Sequence, residues 1–345
     1  MKIKIKNNLF FDTKKKPLLI AEISGNHSQS KKKFLDLILK SHKSGADLIK
    51  IQTYEPQDLT LKSFTNGFRV KKGTWKKQYL WDLYKKAHTP FKWHKDAFNL
   101  AKKKNINLFS TPFSKRGVEL LETFNVPLYK VSSFEIIDHK LIDSIAKTKK
   151  PIILSTGLSN IKEIKEAVNI IKKYHSKIII LHCISEYPTK HENINFQRIN
   201  ELKKKFRNYP VGLSDHTNDI YSSILSLPYK VVAIEKHVKM NSNFKGVDSS
   251  FSIDLNQLKI LSNLIKSLHK GISSNGFFKL SKSNRESLIF RKSLFSKKKI
   301  KKGERFSEDN IETYRGLYGV KANNYFKILG KKSKKNISKD SPIYL

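Results

Sequence analysis

Two short apolar runs in this 345-residue chain each end in a polar cluster. Val211-Gly212-Leu213 leads into Ser214-Asp215-His216, and Val231-Val232-Ala233-Ile234 leads into Glu235-Lys236-His237. Short continuous apolar runs read as buried parallel strands, so each cluster marks a strand end. Two imidazoles at successive strand ends suit a divalent ion that keeps open or water positions. That chemistry favours Mn²⁺, Mg²⁺ or a related ion such as Co²⁺ over structural zinc. A single His on a strand is otherwise a satisfied core residue, so His216 and His237 need support from elsewhere in the chain. Glu22 and Asp248 are candidates for that neighbourhood, as ligand, outer partner or base.

Lys50 and Lys130 supply some of the support. Each ends an apolar stretch, and a buried Lys requires an anionic partner. With hydroxyls at Thr111, Ser133, Ser155 and Ser214 they make a phosphate cradle. Gln52, Glu135, Ser185, Tyr187 and Glu235 fall at the ends of the same runs. Taken singly, a Ser or Thr there caps the next helix. Taken together, every run contributes a polar group.

The elements that must carry these groups alternate. Strands are expected at Leu18–Ser24, Leu48–Gln52, Asn107–Phe113, Leu128–Ser133, Pro151–Gly157 and Ile178–Ser185, followed by the two runs above. Helices are expected between them, among them Lys31–Ala46 and one after the Ser159-Asn160 cap. Eight strand–helix alternations within about 270 residues fit an α/β fold, the (β/α)₈ TIM barrel, with chemistry at the C-terminal rim of its strands. A doubly wound sheet carries a Gly-rich phosphate turn after its first strand, and none is present. Tyr54–Gly73 lacks a clear period and reads as a long, functional loop. The expected division is a barrel over residues 1–270, a polar linker over 271–286 and a small β-rich domain over 287–345.

Composition narrows the classes. The net charge is +40, but Lys is spread over every expected helix rather than gathered in one stripe. The field attracts anionic substrates, and no nucleic-acid partner is expected. No window reaches the roughly 18 apolar residues of a membrane span. The basic Met1–Lys6 segment lacks the apolar region of a signal peptide. The single Cys183 excludes an internal disulfide and a Cys-based zinc site. A cytoplasmic protein without membrane partners is the expectation.

Gly-Leu-Ser-Asp-His-Thr at 212–217, Glu235-Lys236-His237, Ala21-Glu22-Ile23 with Asn26-His27, and Ser110-Thr111-Pro112-Phe113 together resemble the sialic acid synthase family. These are phosphoenolpyruvate-dependent nonulosonate synthases. Ile300-Lys301-Lys302-Gly303-Glu304 and Ile328-Leu329-Gly330-Lys331-Lys332 resemble that family's C-terminal antifreeze-like (SAF, β-clip) domain. The stretches Gln52–Thr60, Lys72–Trp75, Thr89–His94 and Asp248–Ser252 are similar to its pseudaminic branch.

The resemblance implies a metal-dependent condensation of phosphoenolpyruvate with 2,4-diacetamido-2,4,6-trideoxy-L-altrose and water. The products are a nine-carbon 2-keto acid and phosphate. N-acetylneuraminate or legionaminate synthesis is the same reaction on another amino sugar. His216 and His237 then hold the metal, and Glu22 is an acid/base. Lys50, Thr111, Lys130, Ser133, Ser155, Ser185 and Ser214 hold phosphoenolpyruvate. Gln52, Glu135, Tyr187, Glu235 and Asp248 line the sugar side. A domain-swapped homodimer is implied, with Arg315 of one chain contacting the other's sugar. Two departures stand out: Arg315-Gly316 replaces the family's Arg-Pro, and Ser185 stands where the sialic branch tends to carry Asn.

Overall fold

The computed structural model describes residues 1–6, 8–272 and 280–345. Its contacts divide into two compact units, Met1–Ser274 and Asn275–Leu345. Residues 273–279, inside the expected linker, lie outside the described residues. On either side of them the chain is helical, at Leu255–Ile272 and Lys282–Glu286.

The first unit opens with an antiparallel hairpin, β1 (Lys2–Lys6) and β2 (Leu9–Asp12). Eight parallel strands follow: β3 (Leu18–Glu22), β4 (Leu48–Thr53), β5 (Leu108–Pro112), β6 (Tyr129–Val131), β7 (Ile152–Ser155), β8 (Ile178–Cys183), β9 (Val211–Asp215) and β10 (Ala233–Lys239). They pair in chain order, and β10 pairs with both β9 and β3, so the sheet closes into a barrel. Closure removes sheet edges and sends every strand's C-terminus to one rim. A short β11 (Ile253–Asp254) extends from the end of β10.

The barrel strands are buried along nearly their whole length, as the continuous apolar runs require. One core lies between strands and helices; it includes Phe34, Leu37 and Ile38 of helix Lys31–Lys43, and Ile164, Ala167 and Ile171 of helix Ile161–Lys172. The latter helix starts at a capping box, with Asn160 and Glu163 bonding each other's backbone N–H. A second core gathers Leu18, Leu48, Phe109, Leu128, Ile153 and Ile179 with Phe11, and Ile3, Ile5 and Leu9 pack against it. The hairpin thus seals the N-terminal end of the barrel. Its signal in the sequence is the strict alternation Lys2-Ile3-Lys4-Ile5-Lys6, in which Lys faces out and Ile packs inward.

Several strands stop earlier than their apolar runs suggested. β8 ends at Cys183 and β6 at Val131, so Ser185 and Ser133 stand in the loops just beyond the ladder. The stretch expected as loop from Tyr54 contains a helix at Pro56–Leu59 and a 3₁₀ turn at Asn66–Phe68. Among the described residues, no helix is long and apolar enough to cross a membrane.

The second unit holds an antiparallel pair, β12 (Lys292–Ser296) and β13 (Ile311–Arg315). Its own core is built from Leu294, Ile300, Phe306, Ile311, Ile328, Ile337 and Ile343.

Candidate active site

Parallel register brings the strand-end residues side by side. Glu22 pairs with Lys50 and with His237, Gln52 with Thr111, and Ser214 with Glu235. Four charged groups then meet inside the rim. Lys50 Nζ lies 3.2 Å from Glu22 and 3.0 Å from Glu235. Lys130 Nζ donates to Glu235 Oε1 at 3.2 Å, and Ser214 Oγ donates to the same oxygen at 2.9 Å. All four charged side chains are buried.

Two carboxylates this close do not ionise alike. Burial raises Glu22 to about 7, with Lys50 only partly offsetting it and Glu235 adding to the rise. Burial also raises Glu235, but Lys130 and Lys50 together pull it well below the usual carboxylate range. Glu22 is therefore the member that exchanges a proton near neutrality. Lys50 is held above its ordinary value by Glu22 and Glu235 against the cost of burial. Lys130 is lowered, chiefly by burial. With Glu22 protonated, two ammonium groups share one firmly ionised carboxylate. In that state the cluster is one negative charge short, which suits an anion.

Hydroxyls surround this deficit. Thr111 Oγ1 is buried and, among the described residues, has no hydrogen-bond partner. Ser133 and Ser185 share a hydrogen bond of 2.7 Å. Ser155 is buried at the end of β7, beside the Cys183 thiol. Gly157 keeps this side open: a Cβ there would fall 2.2 Å from Ser185 Oγ and 2.8 Å from Cys183 Sγ.

The two histidines lie next to the cluster. Their ring centroids are 5.5 Å apart. His216 Nδ1 donates to Ile184 O at 2.7 Å, which directs Nε2 away from that carbonyl. His237 Nδ1 is buried and, among the described residues, has no hydrogen-bond partner. Burial lowers His216 to about 4 and His237 well below its usual value, so both are neutral. His216 Nε2 lies 3.4 Å from Ser214 Oγ, a long contact, and neutral imidazoles such as these two fit a divalent metal. Among the described residues, no group of three His, Cys, Asp or Glu converges as a metal cage. Two imidazoles alone would leave an ion's remaining positions to water or substrate.

The remaining expected residues make contacts of their own. Tyr187 packs on His216 at 4.4 Å and faces His237 edge-on at 6.4 Å. Asp248 accepts hydrogen bonds from Ser24 Oγ and, at 3.0 Å, from Gly25 N–H. Gln52 Nε2 reaches the same Ser24 hydroxyl at 3.1 Å. Glu135 accepts from Ser132 Oγ, and burial raises it to about 7. Glu235, expected on the sugar side, sits between the two lysines. Arg315 ends β13 in the other unit, where it is exposed.

Sequence reasoning missed several contributors. Ser24 sits at φ 48° just after β3 and carries the Asp248 contact. Phe251 packs edge-on against His237 at 4.9 Å. Trp75 donates through Nε1 to Val247 O at 3.0 Å. Lys236 and Asp215, within the opening motifs, form a separate buried pair at 3.0 Å. Conversely, His27 and His94, which fell inside quoted motifs, bond to Thr89 and Thr53 and are framework groups.

The sequence matches the profile of the NeuB family over residues 37–276 and that of the SAF domain over residues 291–345. It is 38% identical over 328 residues to a pseudaminic acid synthase of Campylobacter jejuni subsp. jejuni serotype O:2, covering 95% of each chain. It is 36% identical over 334 residues to an N,N'-diacetyllegionaminic acid synthase of the same organism, covering 95% of this chain and 99% of that one. Among solved structures, the N-acetylneuraminic acid synthetase of Leptospira borgpetersenii serovar Hardjo-bovis, crystallised with citrate, superposes with a TM-score of 0.73 at 28% identity. That match covers 83% of this chain and 95% of the other.

Proposed function

The chain belongs to the NeuB family of nonulosonate synthases, and from that premise we propose that it makes pseudaminic acid. The substrates are phosphoenolpyruvate, 2,4-diacetamido-2,4,6-trideoxy-L-altrose in its open aldehyde form, and water. The observation that carries this reading is the buried Lys50–Lys130 pair around Glu235, one negative charge short when Glu22 is protonated, set beside two buried histidines. An enol phosphate fills the deficit, and an aldehyde lies toward the histidines.

The chain's own groups divide the work. Lys50 and Lys130 hold the phosphate and carboxylate of phosphoenolpyruvate, with Thr111, Ser133, Ser155, Ser185 and Ser214 as hydroxyl donors. His216 and His237 would hold a divalent ion, Mn²⁺ first, which supplies Lewis-acid polarisation at the carbonyl end. C3 of phosphoenolpyruvate forms a bond to the aldehyde carbon. The developing alkoxide takes a proton, and Glu22, protonated in part near neutrality, is placed to give it. Water then adds at C2, its first proton returning to the Glu22 carboxylate, and the C2 hydroxyl passes its proton to the departing phosphate as the C2–O bond to phosphate breaks and the C2 carbonyl forms. Bond count and charge close with one keto acid and one phosphate. Gln52, Glu135, Tyr187 and Asp248 orient the sugar. Holding two substrates in one closed site offers at best about 7–11 kcal/mol of barrier reduction. The proposal includes a homodimer in which Arg315 of one chain contacts the sugar held by the other.

Sugar choice is tested by presenting the altrose derivative, the legionaminate precursor and N-acetylmannosamine separately, each with phosphoenolpyruvate and Mn²⁺. Phosphate release fastest with the altrose derivative supports the reading. Faster release with either alternative moves the assignment to legionaminate or N-acetylneuraminate synthesis.

A further inference from the structure

We infer that the arm formed by residues 69–79 is a lid, and that its Trp75 selects a sugar whose far end is a methyl rather than a hydroxymethyl group. The inference rests on the amino-sugar reading above.

The arm is folded. Arg69 and Tyr79 bridge in antiparallel fashion. Val70 N–H donates to Gln78 O and Lys77 N–H donates to Val70 O, both at 2.9 Å. The tip turns at Gly73, whose φ of +82° is left-handed and suits glycine. Lys76 and Gln78 N–H close that tip onto Gly73 O and Trp75 O at 3.1 Å.

Two bonds then fasten the tip to distant parts of the chain. Trp75 Nε1 donates to Val247 O at 3.0 Å, and Thr74 Oγ1 donates to Tyr187 O. The arm follows β4, whereas Tyr187 follows β8 and Val247 follows β10. The tip therefore reaches across the barrel mouth, and it does so through side chains at its apex.

This places Trp75 at the outer end of an aromatic column. Its ring lies 5.6 Å from Tyr187 and 5.8 Å edge-on from Phe251. Those two rings in turn contact His216 at 4.4 Å and His237 at 4.9 Å. With the aldehyde at the histidine end, the rest of an open-chain sugar runs outward along this column. The indole N–H is already spent on Val247, so Trp75 presents an apolar, half-buried face. A methyl group gains by leaving water there, while a hydroxyl loses hydration without a partner.

The test compares wild type, Trp75→Ala and Trp75→Phe with the 6-deoxy altrose derivative and its 6-hydroxy counterpart. Wild type is expected to prefer the 6-deoxy sugar. Trp75→Ala should raise KM for that sugar about 10- to 100-fold, leave kcat within about threefold and abolish the preference; Trp75→Phe should keep most of it. A readout independent of turnover is tryptophan fluorescence. The 6-deoxy sugar should perturb wild type, and the response should vanish in Trp75→Phe although the chain's other two of three Trp remain. An unchanged KM and preference in Trp75→Ala overturns the inference, as does a loss confined to kcat, which marks a strut rather than a contact. A wild type that turns over neither sugar removes the reading beneath, and the inference with it.

Discussion

Replacing His237 with alanine is expected to cost about 10³-fold in turnover or more while the barrel stays folded. The side chain is buried, yet its Nδ1 has no hydrogen-bond partner among the described residues. Removing it therefore strands no donor or acceptor of the framework, and the main structural cost is a cavity beside Phe251 and His216. By contrast, His94 bonds Thr53 at 2.8 Å, which in turn bonds Ser110 at 2.6 Å, so its loss disturbs the framework. Mn²⁺ titration by calorimetry, with circular dichroism as the check on folding, separates the cases. His237→Ala should lose metal affinity and phosphate release together and keep its spectrum. Wild-type turnover by that variant, or in the presence of excess chelator, contradicts the metal role.

Asp215→Ala is expected to give the largest loss of stability among single rim substitutions, about 3–5 kcal/mol. Asp215 pairs with the fully buried Lys236 at 3.0 Å and accepts from Thr217 N–H, Thr217 Oγ1 and Ser223 Oγ. Lys236 also donates to Thr217 O at 2.6 Å. The pair ties β9 to β10, the two strands that carry His216 and His237. Truncating Asp215 leaves a buried ammonium without its counter-charge. For a chain of this size the melting temperature should fall on the order of 10 °C. The pH dependence has a definite sign. Burial alone would raise Asp215, but Lys236 and the hydrogen bonds hold it below its ordinary 3.8. A depressed folded pKa stabilises fully above the ordinary value and loses that contribution as pH falls through the folded one. The gap in melting temperature between wild type and Asp215→Ala should be constant at neutral pH and narrow below about pH 4.

The rim was legible because parallel strands are apolar until they leave the barrel. Lys50, Lys130, Glu235 and the two histidines break such runs, but only His216 lies just past a strand: Lys50, Lys130 and Glu235 sit within β4, β6 and β10, and β10 continues through His237 to Lys239. The partner of each was not legible. Glu235 meets Lys130 across 105 positions, and Trp75 meets Val247 across 172. Only the closed register of the barrel sets those encounters. The hairpin at Lys2–Asp12 is hard to read for a different reason: its period-two signal rests on only Ile3 and Ile5, set among lysines that make the segment look like a basic terminus. The stretch up to Gly73 has no period to find, because the order of the arm at 69–79 comes from backbone bonds around a glycine turn and from side chains docking on other loops. Asp215 and Lys236 show the opposite case. They belong to the motifs that carried the resemblance, yet they face each other and serve the scaffold.

This chain is expected to release phosphate from phosphoenolpyruvate by breaking the C2–O bond, and only when an amino-sugar aldehyde is present. Phosphoenolpyruvate labelled with ¹⁸O at the bridging oxygen tests it directly, by mass analysis of the phosphate. The phosphate should retain the label, its release should require the altrose derivative and Mn²⁺, and one nine-carbon keto acid should form per phosphate. Unlabelled phosphate, or release at the same rate without any amino sugar, contradicts it.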